Sequence, residues 1–220
     1  MTILEAMQAR HSVRSYLEKP LEVGVQHMLL TEIDAVNGES GLHVQLVTGE
    51  PKAFSSLMAR YGKFSGVTNY IVLAGKRSPD LDERCGYYGE RLVLLTQQLG
   101  LNTCWVAMTY KKIPGAFQLA PGEKLALVIA LGYGETQGVP HKSKPAEAVA
   151  NVADAPAWFR AGVEAALLAP TAMNQQKFTL TLKEGRVWAR AGAGFYTKVD
   201  LGIVKYHFEA GAGKEDFQWA

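Results

Sequence analysis

The chain has 220 residues, of which 48% are hydrophobic and 20% charged, and its formal net charge is +2. This is the make-up of a globular protein with one sizeable core or two small packed halves. It excludes charge-driven binding to nucleic acid, and the lack of any apolar run of 18 residues excludes a membrane-spanning helix. The opening MTILEAMQARHS has no apolar centre of the signal-peptide kind, and Cys85 and Cys104 are the only cysteines. Both point to a reducing cytoplasm. Cys104, inside the apolar run TCWVAM, fits a core thiol better than a reactive one.

TILE opens the chain as a capping box, with Thr2 capping and Glu5 reaching back, and predicts a helix running to Ala9. A second helix is predicted over residues 23–30, followed by the polar break TEIDAVNGES. LHVQLVTGE alternates Leu42, Val44 and Leu46 against His43, Gln45 and Val47, the pattern of a half-buried strand. NYIVLAG reads as another strand. GYYGERLVLLTQQLGL carries Tyr88, Leu92, Leu95 and Leu99 at helical spacing, with Gly100 placed to end the helix. KLALVIALGYG is a continuous apolar run of strand length and predicts a central strand buried on both faces. The loop GVPHKSKPAEA follows. A helix is then predicted over 157–168, a hairpin in FTLTLKEGRVWAR with its turn at Glu184 and Gly185, and a last helix in VDLGIVKYHFEAG. A loose repeat runs through this order. Gly24-Val25 and Gly162-Val163 each begin a helix ending in Leu-Leu, and a polar break and an alternating strand come next. The pattern fits a duplication and fits chance equally, because helix–loop–strand is a common unit.

Three stretches have the chemistry of a binding site. In ARHSVRSY, Arg10 and Arg14 flank Ser12, and two guanidinium groups with a hydroxyl at a helix end suit a phosphate dianion. The same residues also suit a solvated basic helix end. In HKSKP, Lys142 and Lys144 alternate on a loop that can deliver two ammonium groups to one anion or simply be solvated. In APTAMNQQKF, Pro170 ends a helix, and Thr171, Asn174 and Gln176 gather donors and acceptors of the kind a flat heterocycle requires. A turn cluster explains Thr and Asn there, but turn chemistry does not call for glutamine beside a strand start. Other chemistries lack their residues. The five histidines have no ligand spacing, and GKFSG has its serine one place late for a nucleophile elbow. GAGK at 211–214 lacks the rest of a phosphate loop. AGAGF at 191–195 is too short for a dinucleotide fingerprint and is not expected between a strand and a helix.

On these residues the chain resembles the nitroreductase family of flavin mononucleotide enzymes. RHSVRSY is similar to that family's N-terminal phosphate-binding motif, and APTAMNQQKF to its Pro-Ser-x-x-Asn-x-Gln-Pro-Trp segment, with Lys177-Phe178 in place of Pro-Trp. LGLNTCWVAM with LALVIALGYG resembles the family's core helix–strand pair, and HKSKP its closing basic loop. The Pro-Thr-x-x-Asn segment falls late, in the second half. This order resembles a subgroup in which one chain imitates the usual homodimer. The resemblance implies an α+β fold with a mixed, mostly antiparallel sheet flanked by helices, in one unit of two interlocked halves, about 1–150 and 151–220. It implies one FMN per chain, NADH or NADPH as electron donor, a small-molecule acceptor such as a nitroaromatic or quinone, and a chain able to act as a monomer. By the resemblance Arg10, Ser12, Arg14, Lys142 and Lys144 hold the phosphate, and His11 contributes through its backbone. Pro170, Thr171, Ala172, Asn174 and Gln176 line the ring or ribityl side, so the late segment completes a site that the N-terminal arginines begin. Lys63 is a candidate for the pyrimidine edge, where a cation stabilises reduced flavin, and equally suits a solvated loop. Met108 stands where the family has a glycine-rich segment, and narrows the pocket or covers one ring face. Flavin binding without turnover, or a cofactor-free interaction protein of the same fold, stays open beside the enzyme.

Overall fold

The structure is a computed structural model and describes residues 1–213 and 217–220. Lys214, the end of the GAGK stretch, lies outside them. The described residues group into two compact units. One comprises Arg10–Leu81 and Leu92–Pro140; the other comprises Met1–Ala9, Asp82–Arg91 and His141–Ala220.

The first unit is built on four antiparallel strands, β1 (Gln45–Val47), β2 (Asn69–Lys76), β3 (Asn102–Val106) and β4 (Glu123–Gly132), in the order β1-β2-β4-β3. β2 and β4 are central, as the apolar runs NYIVLAG and KLALVIALG require, and pair with Ile71 opposite Ile129 and Val72 opposite Val128. TCWVAM supplies β3, whose Trp105 faces Ile129 across the ladder. Phe54, Phe64, Tyr70, Val72, Cys104 and Val128 are among the buried residues of the core of this unit. The expected strand over 42–50 shrinks to Gln45–Val47, because Leu42 makes only an isolated bridge to Gly75 and the burial shifts from Leu46 to Val47. The break TEIDAVNGES is not a break. Helix α2 (Val23–Ser40) continues through it, since Leu29, Ile33 and Val36 keep helical spacing and are buried. Gly41, at φ +65°, ends that helix by donating its N–H to the Asn37 carbonyl. A short helix, α3 (Leu57–Tyr61), precedes β2; the Ser56 side chain caps it by accepting the Ala59 N–H.

The second unit holds α1 (Ile3–Ala9), α5 (Ala157–Ala166) and α6 (Thr197–Ala212), with a second sheet of β5 (Phe178–Lys183), β6 (Arg186–Ala191) and β7 (Gln218–Trp219). The single sheet expected from the sequence is therefore two sheets. The capping box forms as written: Thr2 N–H donates to Glu5 Oε2 at 2.7 Å and Glu5 N–H to Thr2 Oγ at 3.2 Å. The hairpin turn forms at Glu184 and Gly185, with φ of +52° and +74°. β6 and β7 pair in parallel across α6. AGAGF thus does run from a strand into a helix, contrary to the expectation above, because the hairpin's second strand extends directly to it. α4 (Leu81–Gln98) contributes residues 82–91 to this unit and 92–98 to the first. Within the second unit α4 and α6 cross at two glycines. A methyl on Gly86 would fall 2.0 Å from the Val199 carbonyl oxygen, and one on Gly202 would fall 2.0 Å from that of Glu83. Near this crossing, His207 and Glu90, both fully buried, meet through Nε2 and Oε1 at 2.9 Å, while Nδ1 of His207 faces the Ala165 carbonyl at 3.0 Å. Phe159 and Phe208 pack edge to face between α5 and α6. Among the described residues no helix is long and apolar enough to cross a membrane.

Candidate functional site

In the first unit, residues 10–16 follow α1 as extended chain rather than as the helix end expected above. Ser12 bridges to Thr103 of β3, Val13 N–H donates to the Thr103 carbonyl at 3.0 Å, and Tyr16 N–H donates to that of Ser65 at 3.0 Å. The segment thereby covers the free edge of β3. Gly66, at φ +67°, lets the chain pass, since a Cβ there would lie 1.9 Å from the Tyr16 carbonyl oxygen. In extended chain, residues two apart share a side, so 10, 12 and 14 alternate with the buried Val13. Arg10 is 3% exposed, His11 and Ser12 are half-buried, and Arg14 is exposed.

Cys104 records how these side chains gather. Burial pushes its thiol pKa up, while Arg14, a hydrogen bond with Ser12, and Arg10 each pull it back. Cys104 is a free, buried core thiol. The Arg14 guanidinium has no hydrogen bond or ion pair among the described residues. Two guanidinium groups and a hydroxyl thus lie near enough to Cys104 to act on its thiol. Elsewhere in this unit, Lys63 is exposed in the turn after α3 at φ +60°, and Met108 is 67% exposed in the bend after β3. Their neighbours touch: a methyl on Gly62 would fall 2.7 Å from Thr109 Cβ.

In the second unit the structure brings together HKSKP and APTAMNQQ, which lie some thirty residues apart in sequence. Lys144 N–H donates to Gln176 Oε1 at 2.8 Å, and Lys144 Nζ donates to the carbonyls of Gln175 and Gln176 at 3.1 and 2.8 Å. The Lys142 carbonyl accepts from Asn174 Nδ2 and Gln176 Nε2, each at 2.9 Å, and Gln176 Nε2 also donates to Asn174 Oδ1 at 2.8 Å. Thr171 Oγ accepts the Gln176 N–H at 3.0 Å. Pro170 is half-buried just beyond α5. Ala172 N–H donates to Asp200 Oδ1 at 2.9 Å, and Gln175 Nε2 to Asp200 Oδ2 at 2.7 Å. Burial pushes the Asp200 carboxyl above the usual aspartate value, against these two bonds, which pull it down. On the loop side, His141 Nε2 and Ser143 Oγ contact the Leu167 carbonyl at 3.0 and 2.9 Å.

These bonds hold a strained turn. Met173, Asn174 and Gln176 have φ of +51°, +52° and +46°, a region that costs a non-glycine residue about 1–3 kcal/mol and persists only where the surroundings enforce it. The side chains of Lys144, Asn174 and Gln176, expected to face a ligand, are bonded to one another and to the loop. Lys142 Nζ, exposed, has no hydrogen bond or ion pair among the described residues. Sequence reasoning missed Asp200 and Gln175. The signal for Asp200 was present: a carboxylate inside the apolar run VDLGIV, in the first turn of α6.

The family model described as "Putative TM nitroreductase" matches residues 2–212. Among solved structures, a "putative nitroreductase" of Thermotoga maritima superposes with a TM-score of 0.68 at 24% identity, over 98% of this chain and 85% of its own. A "putative nitroreductase in complex with FMN" from Desulfovibrio desulfuricans gives 0.53 at 17% identity, over 68% of this chain and 95% of its own. A "putative NADH dehydrogenase/NAD(P)H nitroreductase" of Bacteroides thetaiotaomicron gives 0.52 at 22% identity, over 67% and 95%. These likenesses are of fold. No curated relative matches the chain. With the model spanning almost its whole length, the chain belongs to the nitroreductase family.

Proposed function

We propose that the chain is an FMN-dependent NAD(P)H oxidoreductase that reduces nitroaromatics, quinones or similar acceptors by a ping-pong scheme. The observation that carries this reading is the extended segment that places Arg10, Ser12 and Arg14 at alternate positions beside Cys104, with no hydrogen bond or ion pair for the Arg14 guanidinium among the described residues. Two planar guanidinium groups and a hydroxyl fit a phosphate in charge and in donor count. The strained turn of the second unit supports the same reading, because strain of this kind collects at ligand sites.

In this proposal Arg10, Ser12 and Arg14 of the first unit bind the phosphate, and Lys142, in the basic loop of the second unit, offers an ammonium group to an anion. In the second unit Pro170, Thr171 and Ala172 offer backbone and a small apolar surface to a ring or ribityl chain. Lys63, exposed and with no side-chain hydrogen bond or ion pair among the described residues, would supply positive charge at the pyrimidine edge. Met108, exposed in the bend after β3, would limit which acceptors reach the flavin. When bound, FMN supplies the two-electron chemistry, taken from NADH or NADPH and passed on to the acceptor. The scheme requires no side-chain acid or base, so no catalytic residue is assigned. The same reading gives one FMN per chain and a monomer, the chain's motifs replacing those of two subunits.

A second reading is flavin binding without turnover, in which Met108 would bar the acceptor. The visible spectrum of the purified protein, recorded before and after anaerobic addition of NADH or NADPH, separates the readings. Flavin bands that bleach are the expected result. Bands that persist select binding without turnover, and a protein that takes up no FMN on soaking refutes both.

A further inference from the structure

The basic loop and the strained turn are joined by a closed set of hydrogen bonds. Lys144 N–H and Lys144 Nζ bond the turn at Gln175 and Gln176, and the amides of Asn174 and Gln176 bond the loop at the Lys142 carbonyl. Gln176 is 3% exposed, and both ends of its amide are engaged. Two of the three Lys144 ammonium donors point at carbonyl oxygens of the turn. An ammonium group that neutralises the carbonyl ends of a left-handed turn offsets the strain there, and is held away from any ligand while it does so.

We propose that Lys144, Asn174 and Gln176 are positioning residues, a latch that fixes the turn against the loop, and that Lys142 is the loop's only ammonium group for a ligand anion. The two loop lysines, alike in sequence, thus have different tasks. Lys142 is held by its backbone and, among the described residues, is free at its tip; Lys144 is held at both. The assignment of Lys142 to the FMN phosphate rests on the function proposed above. The latch itself does not.

The test uses the full chain and two probes, FMN and riboflavin, which lacks the phosphate. Lys142→Met lowers FMN affinity ten- to a hundredfold and leaves riboflavin affinity unchanged. Lys144→Met weakens both probes by one common factor, so that the preference for FMN survives. It also speeds backbone amide exchange across residues 171–177, which Lys142→Met does not. Lys144→Arg, whose forked donors reach two carbonyls, restores slow exchange. Loss of the FMN preference in Lys144→Met, to the extent seen in Lys142→Met, overturns the division of tasks. Unchanged exchange in Lys144→Met overturns the latch. Equal affinity of the unsubstituted chain for FMN and riboflavin overturns the phosphate role of Lys142 and the FMN reading together, while the exchange result still decides the latch.

Discussion

Replacing Gly202 by alanine tests whether the crossing of α4 and α6 sets the site. In a helix interior this change normally stabilises, by about 0.5–1 kcal/mol, through reduced backbone entropy in the unfolded chain. Here the new methyl would lie 2.0 Å from the Glu83 carbonyl oxygen and 2.6 Å from the Tyr87 nitrogen, where ordinary contact begins at 3.4 Å. Both neighbours are backbone, so no rotamer change relieves the overlap, and the helices must part by about 1.4 Å. A gap of 0.5–1 Å already forfeits about a quarter to a half of each dispersion contact along the seam. The upper end of the overpacking range, about 3 kcal/mol, therefore applies. Subtracting the propensity gain leaves about 2 kcal/mol of destabilisation, or roughly 4–8 °C in Tm for a chain of this size. Asp200 lies two residues before Gly202, so its bonds to Ala172 and Gln175 weaken as α6 moves. Thermal unfolding followed by circular dichroism reads the effect. Gly38→Ala is the control: Gly38 lies inside α2 with nothing within 4 Å of its added Cβ, and its Tm rises slightly. A Gly202→Ala protein that melts at or above the unsubstituted chain refutes the argument.

Arg14→Ala weakens FMN binding about ten- to a hundredfold, the value of one charge-assisted phosphate contact, in a fluorescence titration; unchanged affinity removes Arg14 from the phosphate. Replacing His207 by leucine removes the ring nitrogen that meets the buried Glu90 carboxyl and the one that faces the Ala165 carbonyl, and costs about 1–3 kcal/mol in urea unfolding. Glu123→Gln flattens the acid limb of the stability curve. Burial pulls the Glu123 carboxyl up, but the His43 ring at 2.7 Å, the Ala120 N–H and Lys76 outweigh it and hold the group below 4.5. Its stabilisation is present above the unfolded carboxylate value and is lost as pH falls through the folded one. Asp200 has the opposite sign. Its raised pKa makes stability fall as pH rises from the unfolded aspartate value through the folded one, a slope that Asp200→Asn removes in stability measurements across that range.

Elements fixed by local chemistry were legible in the sequence. The capping box of α1, the Glu184-Gly185 hairpin and the apolar runs of β2 and β4 each need only neighbours in the chain to specify them. Where polar residues cover a helix, the reading failed. TEIDAVNGES hides Ile33 and Val36 among solvated residues, and its asparagine and glycine suggest a turn that tertiary burial overrides. β3 was seen as an apolar run because its pairing partner, β4, lies about twenty residues further on. For the site, the three motifs were visible as chemistry, but not their internal commitments. Nothing local in HKSKP distinguishes Lys142 from Lys144; that depends on where Gln175 and Gln176 place their carbonyls.

The second unit is assembled from three separated stretches, 1–9, 82–91 and 141–220. This has a consequence for how the protein emerges from the ribosome. Helix α1 is made before residues 10–140, and α6, against which it packs, is made after them. The Glu83-to-Tyr87 turn of α4 likewise awaits Gly202. Residues 10–81 and 92–140 are all synthesised before the third stretch begins, so the four-stranded sheet can close while α1 has no partner. At about 5–20 residues per second, the nascent chain carries an undocked N-terminal helix for roughly 10–40 seconds. During that interval Ala6 and Met7, buried in the folded protein, wait without the packing that buries them there.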